Sequence, residues 1–217
     1  MPSLFNLISD KKIVVFDFDG VLVDSVGIKA KAYEQMYEEY GSSIVKKVRS
    51  HHLKNGGMSR FEKFKYYHEN YLGEKLEFKD IERMSQKFSE LVVTQVISSN
   101  WIPGAQDFLQ KLYEEKIDCV IVSATPQLEI EQIVIERKMA KFFIDIFGSP
   151  TSKYDNLGII LTKHQVTPLE LIFFGDALAD WQAASKMGVP FVGVGKEIKD
   201  LLANHRNCDH FISNFEI

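Results

Sequence analysis

The stretch Ile13 to Ser25, IVVFDFDGVLVDS, decides how the rest of the chain is read. Four apolar residues, Ile13 to Phe16, run straight into a segment that carries Asp17, Asp19 and Asp24 within eight positions. A continuous apolar run rich in β-branched residues is what a strand covered on both faces requires. Carboxylates at the end of such a strand are costly unless something offsets their charge. The stretch therefore predicts a buried strand that ends at a charged rim.

Three more runs have the same character: CVIVS (Cys119 to Ser123), LIFFG (Leu171 to Gly175) and FVGVG (Phe191 to Gly195). A weaker one, FFIDIFGS, lies between the first two of these three. Helix-like segments separate them, over Gly104 to Glu115, Gln127 to Arg137, Tyr154 to His164 and Ala179 to Met187. Strand and helix alternate, so the predicted class is α/β, with a Rossmann-like parallel sheet flanked by helices. From Val26 to Asn100 the rhythm breaks. SRFEKFKYYHENYL and KDIERMSQKFSELVVTQVI are helical in pattern, and Phe61, Phe64, Tyr67 and Tyr71 recur at helical spacing as a helix core. The predicted organisation is a core of residues 1–25 and 101–217 with an all-helical cap inserted over 26–100. Trp101-Ile102-Pro103-Gly104 marks the re-entry, because Pro and Gly punctuate chains.

With 217 residues, 45% of them apolar, the chain can bury a sizeable core. Its net charge is −4, and Lys and Arg are spread along it, so no nucleic-acid partner is expected. No apolar run approaches 18 residues and the N-terminus lacks a basic, apolar leader, so neither a membrane span nor a signal peptide is expected. Two cysteines, Cys119 and Cys208, fit a reducing, cytoplasmic setting. His51-His52 and the cluster of His205, Cys208 and His210 lack a second ligand pair at zinc spacing and read as loop residues. A monomer or a weak dimer is expected.

In open parallel sheets, ligands bind beyond the carboxyl ends of the strands. Asp17 and Asp19 follow the first strand, Ser123 ends the second, and Asp176 follows LIFFG with Asp180 one helical turn on. Any one of these is explained as a turn or cap residue. Together they put carboxylates on one rim. A hard divalent cation relieves their repulsion, and Mg²⁺ typically joins one or two carboxylates to a substrate phosphate. The phosphate also needs donors, which Ser123, the backbone amides after it and Lys153 can supply.

These segments resemble the four motifs of the haloacid dehalogenase-like hydrolase superfamily, in its phosphatase and phosphomutase branch. FDFDGVLVDS resembles the first, DxDGxxxD. VSATP resembles the second, Lys153 in GSPTSKYDNL the third, and FFGDALAD the fourth, GDxxxD. The order matches from Ile13 to about Gly195, although the family's usual Lys-Pro is here Lys153-Tyr154. The resemblance implies Asp17 as a nucleophile that forms an aspartyl-phosphate. It implies Asp19 as the acid that protonates the leaving oxygen and the base that then activates water. Mg²⁺ would be held by Asp17, the Asp19 carbonyl and Asp176, with Asp180 in support. Ser123, Ala124 and Lys153 would hold the phosphate, and Gly20 would let the chain turn beside it. Asp24 would order the turn below. The presence of Asp19 argues for phosphoryl transfer rather than dehalogenation. Phosphonate hydrolysis would need a Schiff-base lysine in the cap; Lys29 and Lys31 lie near enough, but read as exposed helix residues. After the Asn55-Gly56-Gly57 break, Ser59 caps a helix, and Arg60 either binds a second anionic or polar group of the substrate or is an exposed helix residue. The implied function is a Mg²⁺-dependent hydrolase of a small phosphorylated metabolite, such as a phosphosugar or phosphoglycolate. A phosphosugar mutase and a non-catalytic binding domain are the alternatives.

Overall fold

The computed structural model describes residues 4–202 and 210–216. His205 and Cys208 lie outside the described residues. A short helix α1 (Leu4–Ile8) leads into β1 (Ile13–Phe16). Four helices follow, α2 (Val26–Met36), α3 (Ser42–Lys54), α4 (Arg60–Tyr67) and α5 (Phe78–Ser98). The chain then runs through α6 (Ala105–Glu114), β2 (Asp118–Pro126), α7 (Gln127–Glu136), β3 (Asp145–Ser149) and α8 (Lys153–His164). It ends with β4 (Leu171–Gly175), α9 (Leu178–Met187), β5 (Phe191–Val194), α10 (Lys196–Leu201) and β6 (His210–Ile212).

The six strands form one parallel sheet in the order β3-β2-β1-β4-β5-β6. The apolar runs read from sequence all become strands, and β6 and α1 are additions that were too short to carry a pattern. The alternation of side chains along β1 explains why its run had to be continuous. Val14 and Phe16 face one core with Ile8, Phe108, Leu109 and Ile133. Ile13 and Val15 face a second core with Leu157, Ile160, Ala184 and Ile198. Complete burial of such a side chain contributes about 1.5–3 kcal/mol, so neither face of β1 tolerates a polar residue. β1 lies between β2 and β4, and the chain order reverses direction there. That is the switch point where such sheets open a crevice beyond the strand ends.

Helices α2 to α5 pack around their own aromatic group. Tyr33, Phe64, Tyr67 and Phe88 are all buried, and the Tyr33 ring lies 4.4 Å from Phe88 and 5.8 Å from Tyr67. Of the stripe read from sequence, Phe64 and Tyr67 are fully buried, while Phe61 and Tyr71 are only half-buried. The chain leaves and re-enters the sheet at one place. Asp24 N–H donates to the Asn100 carbonyl at 2.9 Å, and Ile102 N–H donates to the Leu22 carbonyl at 3.0 Å.

Candidate active site

The end of β1 turns sharply. Asp17 N–H still donates to Phe174 of β4 at 2.9 Å, so Asp17 remains in the sheet ladder. The Leu22 N–H and Gly20 N–H then fold the loop back onto Phe18 and Val23. Gly20 has φ +78°, and a Cβ there would sit 2.1 Å from an Asp176 oxygen. Only glycine permits both the left-handed turn and that approach.

Asp17, Asp176 and Asp180 converge, with one carboxylate oxygen of each within 4.8 Å of the others. Asp17 is nearly buried; its Oδ1 accepts from Phe18 N–H at 2.7 Å and its Oδ2 lies 2.9 Å from Lys153 Nζ. Lys153, at the first position of α8, also pairs with Asp180. Its helix is started by Ser152, whose Oγ accepts from Asp155 N–H at 3.1 Å. Asp180 is fully buried and accepts from Ala177 N–H at 3.0 Å, a bond that closes the first turn of α9 just beyond β4. Gly175 makes room for it, since a Cβ there would lie 2.4 Å from Asp180 Cβ.

The electrostatics follow from this crowding. Burial, then the neighbouring Asp180 and Asp19, push the Asp17 carboxyl up to about 7 against the pull of Lys153. Burial and the charges of Asp17 and Asp180 raise Asp176 well above the carboxylate range. Burial works to lower Lys153, but Asp17 and Asp180 outweigh it and keep the ammonium charged. Three carboxylates held this close, with one lysine between two of them, have the charge and oxygen donors that a hard divalent cation requires.

Asp19 is set apart. Its Oδ1 accepts from Ser25 Oγ at 2.5 Å, and its Oδ2 accepts from Thr125 Oγ1 at 3.1 Å and from Lys29. Burial acts to raise its carboxyl, but Lys29 and the two hydroxyls outweigh it and hold the group below its ordinary value. Lys29 is thus not the exposed helix lysine expected from the sequence. It points inward from α2, with its Nζ 2.8 Å from Thr125 Oγ1. Ser123 is buried at a register shift in β2, where its Oγ accepts from Thr125 N–H at 3.1 Å; Ala124 and Thr125 line the cleft beyond it. A bulge of this kind re-aims residues beside a site. Asp24 is exposed at the cleft wall, and its backbone rather than its side chain ties the crossing strands together.

Arg60 lines the cleft, but its guanidinium is already taken. It pairs with Glu129 of α7, donates to Ser89 Oγ at 2.7 Å and stacks on Phe88 at 4.6 Å. The expectation of a free arginine for substrate is corrected here, because a buried guanidinium needs a carboxylate and Glu129 provides it. Ser59 does cap α4, in a reciprocal box with Glu62. The Gly56-Gly57 break lies directly on the fourth motif; a Cβ on Gly57 would come 2.7 Å from Ala179 Cβ. Thr125, Glu129 and the buried Lys63 lie around these residues without having been singled out from sequence, and Lys29 was read there only as an exposed helix residue.

The sequence profile described as haloacid dehalogenase-like hydrolase matches residues 14–194. The chain is 26% identical over 195 residues to a phosphoglycolate phosphatase of Pseudomonas putida, covering 84% of this chain and 69% of that protein. It is 25% identical over 197 residues to a phosphorylated carbohydrates phosphatase of Thermotoga maritima, covering 86% and 87%. Among solved structures, a β-phosphoglucomutase from Clostridium difficile superposes with a TM-score of 0.75 at 19% identity, covering 94% of this chain and 92% of that one. A family IA, variant 3 hydrolase from Entamoeba histolytica gives 0.77 at 19% identity, covering 94% and 93%. These two structures share its fold. With a family match that runs from β1 to the end of β5, the chain belongs to the haloacid dehalogenase-like hydrolases.

Proposed function

We propose that this chain is a Mg²⁺-dependent phosphatase of small phosphorylated metabolites that works through Asp17. The observation that carries the reading is the convergence of Asp17, Asp176 and Asp180 within 4.8 Å, with Lys153 Nζ 2.9 Å from the Asp17 oxygen. The names of the curated relatives, phosphoglycolate phosphatase and phosphorylated carbohydrates phosphatase, support the substrate class. Residues 26–100 act as a cap over residues 1–25 and 101–217.

Asp17 and Asp176, with Asp180 behind them, are the residues that would hold the metal. When bound, Mg²⁺ supplies charge compensation for the carboxylates and the phosphoryl oxygens. Asp17 attacks phosphorus as the alcohol leaves, giving an aspartyl-phosphate, and water later attacks the phosphorus of that mixed anhydride, releasing inorganic phosphate and the Asp17 carboxylate. Ser123 and the Ala124 amide hold phosphoryl oxygens, and Lys153 offsets the charge between nucleophile and phosphate. Asp19 delivers a proton to the leaving oxygen and later takes one from water. Its three donors suit the second of these steps, in which the carboxylate is ionised. For the first step it must carry a proton, and its bond to Lys29 gives way.

Phosphate release from a panel of phosphoglycolate, sugar monophosphates and p-nitrophenyl phosphate tests the reading. Release with Mg²⁺ should fall by at least about 100-fold in EDTA. Release indifferent to EDTA would remove the metal. Isomerisation of a sugar phosphate without release would replace the phosphatase by a mutase.

Lys29 gives a second expected result. Lys29→Met should raise the Asp19 carboxyl, since the largest favourable influence on its ionised form is gone. Asp19 then becomes ionised, and competent as a base, only at higher pH. The acidic limb of the kcat profile, where the ionised form is needed as base, should move to higher pH. An unmoved limb would detach Lys29 from the acid-base step.

A further inference from the structure

A cleft of about 460 Å³ lies between the helical segment and the strand ends, with Asp17, Asp19 and Asp176 on its floor. Four cations line it: Lys29, Lys54, Arg60 and Lys63. Lys29 is paired with Asp19 and Arg60 with Glu129, and Lys54 is exposed. Lys63 is different. It is only 2% exposed, and among the described residues no carboxylate lies within 4.0 Å of it. Its Nζ is 2.9 Å from His52 Nδ1 and 5.7 Å from the centre of the Tyr33 ring.

His52 is no counter-charge. Burial, with Lys63 and Lys29 nearby, pushes its imidazole down to about 2, so the ring is neutral. Its Nδ1 therefore accepts from the ammonium, and the ring proton sits on Nε2. Burial, then Lys29, lower Lys63 itself to about 7, while Asp19 and Asp176 act on it in the opposite sense across the cleft. A buried ammonium without a counter-ion is costly to keep. A lysine retained only to support the fold would sit against an acid, as Arg60 does against Glu129. Lys63 instead offers its charge to the cavity that holds the reaction centre.

We propose that Lys63, braced by His52, seats a second anionic group of the substrate, a carboxylate or a second phosphate, so that the chain prefers such metabolites to phosphomonoesters with neutral tails. The proposal rests on the phosphatase reading of the cleft and adds a substrate class to it.

Phosphoglycolate and ethyl phosphate form a matched pair, nearly equal in size and differing in the carboxylate. A two-carbon bisphosphate separates carboxylate from phosphate recognition. In the wild type, kcat/KM for phosphoglycolate or the bisphosphate should exceed that for ethyl phosphate by at least about 100-fold. Lys63→Met should bring that ratio to within about threefold of unity, whereas Lys63→Arg should keep it above about tenfold. Lys65→Met, at an exposed position of the same helix, should leave it unchanged. Lys63→Met should also melt no lower than the wild type, because it removes an uncompensated buried charge; a structural lysine would lower the melting temperature instead. A wild-type ratio near unity, or a ratio that survives Lys63→Met, overturns the proposal. If the wild type cleaves none of the three esters, the phosphatase reading fails by itself. Calorimetric titration of the Asp17→Asn protein with phosphoglycolate then decides the Lys63 site: affinity lost with Lys63→Met supports it, and affinity unchanged overturns it.

Discussion

Asp17→Asn is expected to reduce phosphate release by at least about 10⁴-fold while leaving the protein folded. The amide keeps the shape of the carboxylate and can still accept from Phe18 N–H, but it cannot attack phosphorus. The same change carries a stability signature. In the metal-free protein the folded state raises the Asp17 carboxyl from an ordinary 3.8 to about 7, through burial first and then Asp180 and Asp19. Between those two values the folded protein holds a proton that the unfolded chain has lost. Stability from this group is thus complete below about pH 4 and is lost as the pH rises through 7. Asn does not titrate. Melting in EDTA at pH 5 and at pH 8 should show Asp17→Asn gaining on the wild type at the higher pH. A variant that kept activity within 100-fold would not have lost its nucleophile, and a gain at the lower pH would contradict the crowding of carboxylates described above.

Asp17, Asp176 and Ser123 could be located from sequence because each sits where a continuous apolar run stops. Phe16 hands on to Asp17, Gly175 to Asp176, and Val122 to Ser123; the strand pattern and the polar residue after it are local in sequence. The residues that surround them were harder to read, and for a physical reason. Lys29 meets Thr125, and Arg60 meets Glu129, 69 residues away. A charged residue on an amphipathic helix reads as solvent-facing unless its partner is known, and those partners lie on elements far along the chain. One signal was present nonetheless. Arg60, Lys63, Phe64 and Tyr67 share the i, i+3, i+4, i+7 face of α4, and all four are buried. Spacing alone placed two cations on the core face of that helix, which is a reason to look for what neutralises them. Glu129 answers for Arg60, and the cleft answers for Lys63.

Lys153→Met should be the most disruptive single change to the folded protein. Lys153 lies nearly buried between Asp17 and Asp180, and it is the cation paired with both. Removing one partner of a buried ion pair leaves an uncompensated charge and costs about 3–5 kcal/mol. For a chain of this length that corresponds to a melting temperature lower by about 10 °C. The loss should not come from the helix end, because the cap of α8 is Ser152 and its bond to Asp155 N–H does not involve the lysine side chain. It should also depend on pH. Without Lys153, the opposed influences on Asp17 reduce to burial and the repulsion of Asp180 and Asp19, so its carboxyl rises further. At pH 5.5 the buried carboxylates can take up protons and escape the penalty, while at pH 8 that costs more. The melting difference from wild type in EDTA should therefore be larger at pH 8 than at pH 5.5. Activity should fall by about 10²–10³-fold, as for loss of one electrostatic donor at a reacting group. A variant as stable as the wild type at pH 8 would mean that Asp17 and Asp180 are not held together by this lysine, and the account of how the chain tolerates them would have to be rebuilt.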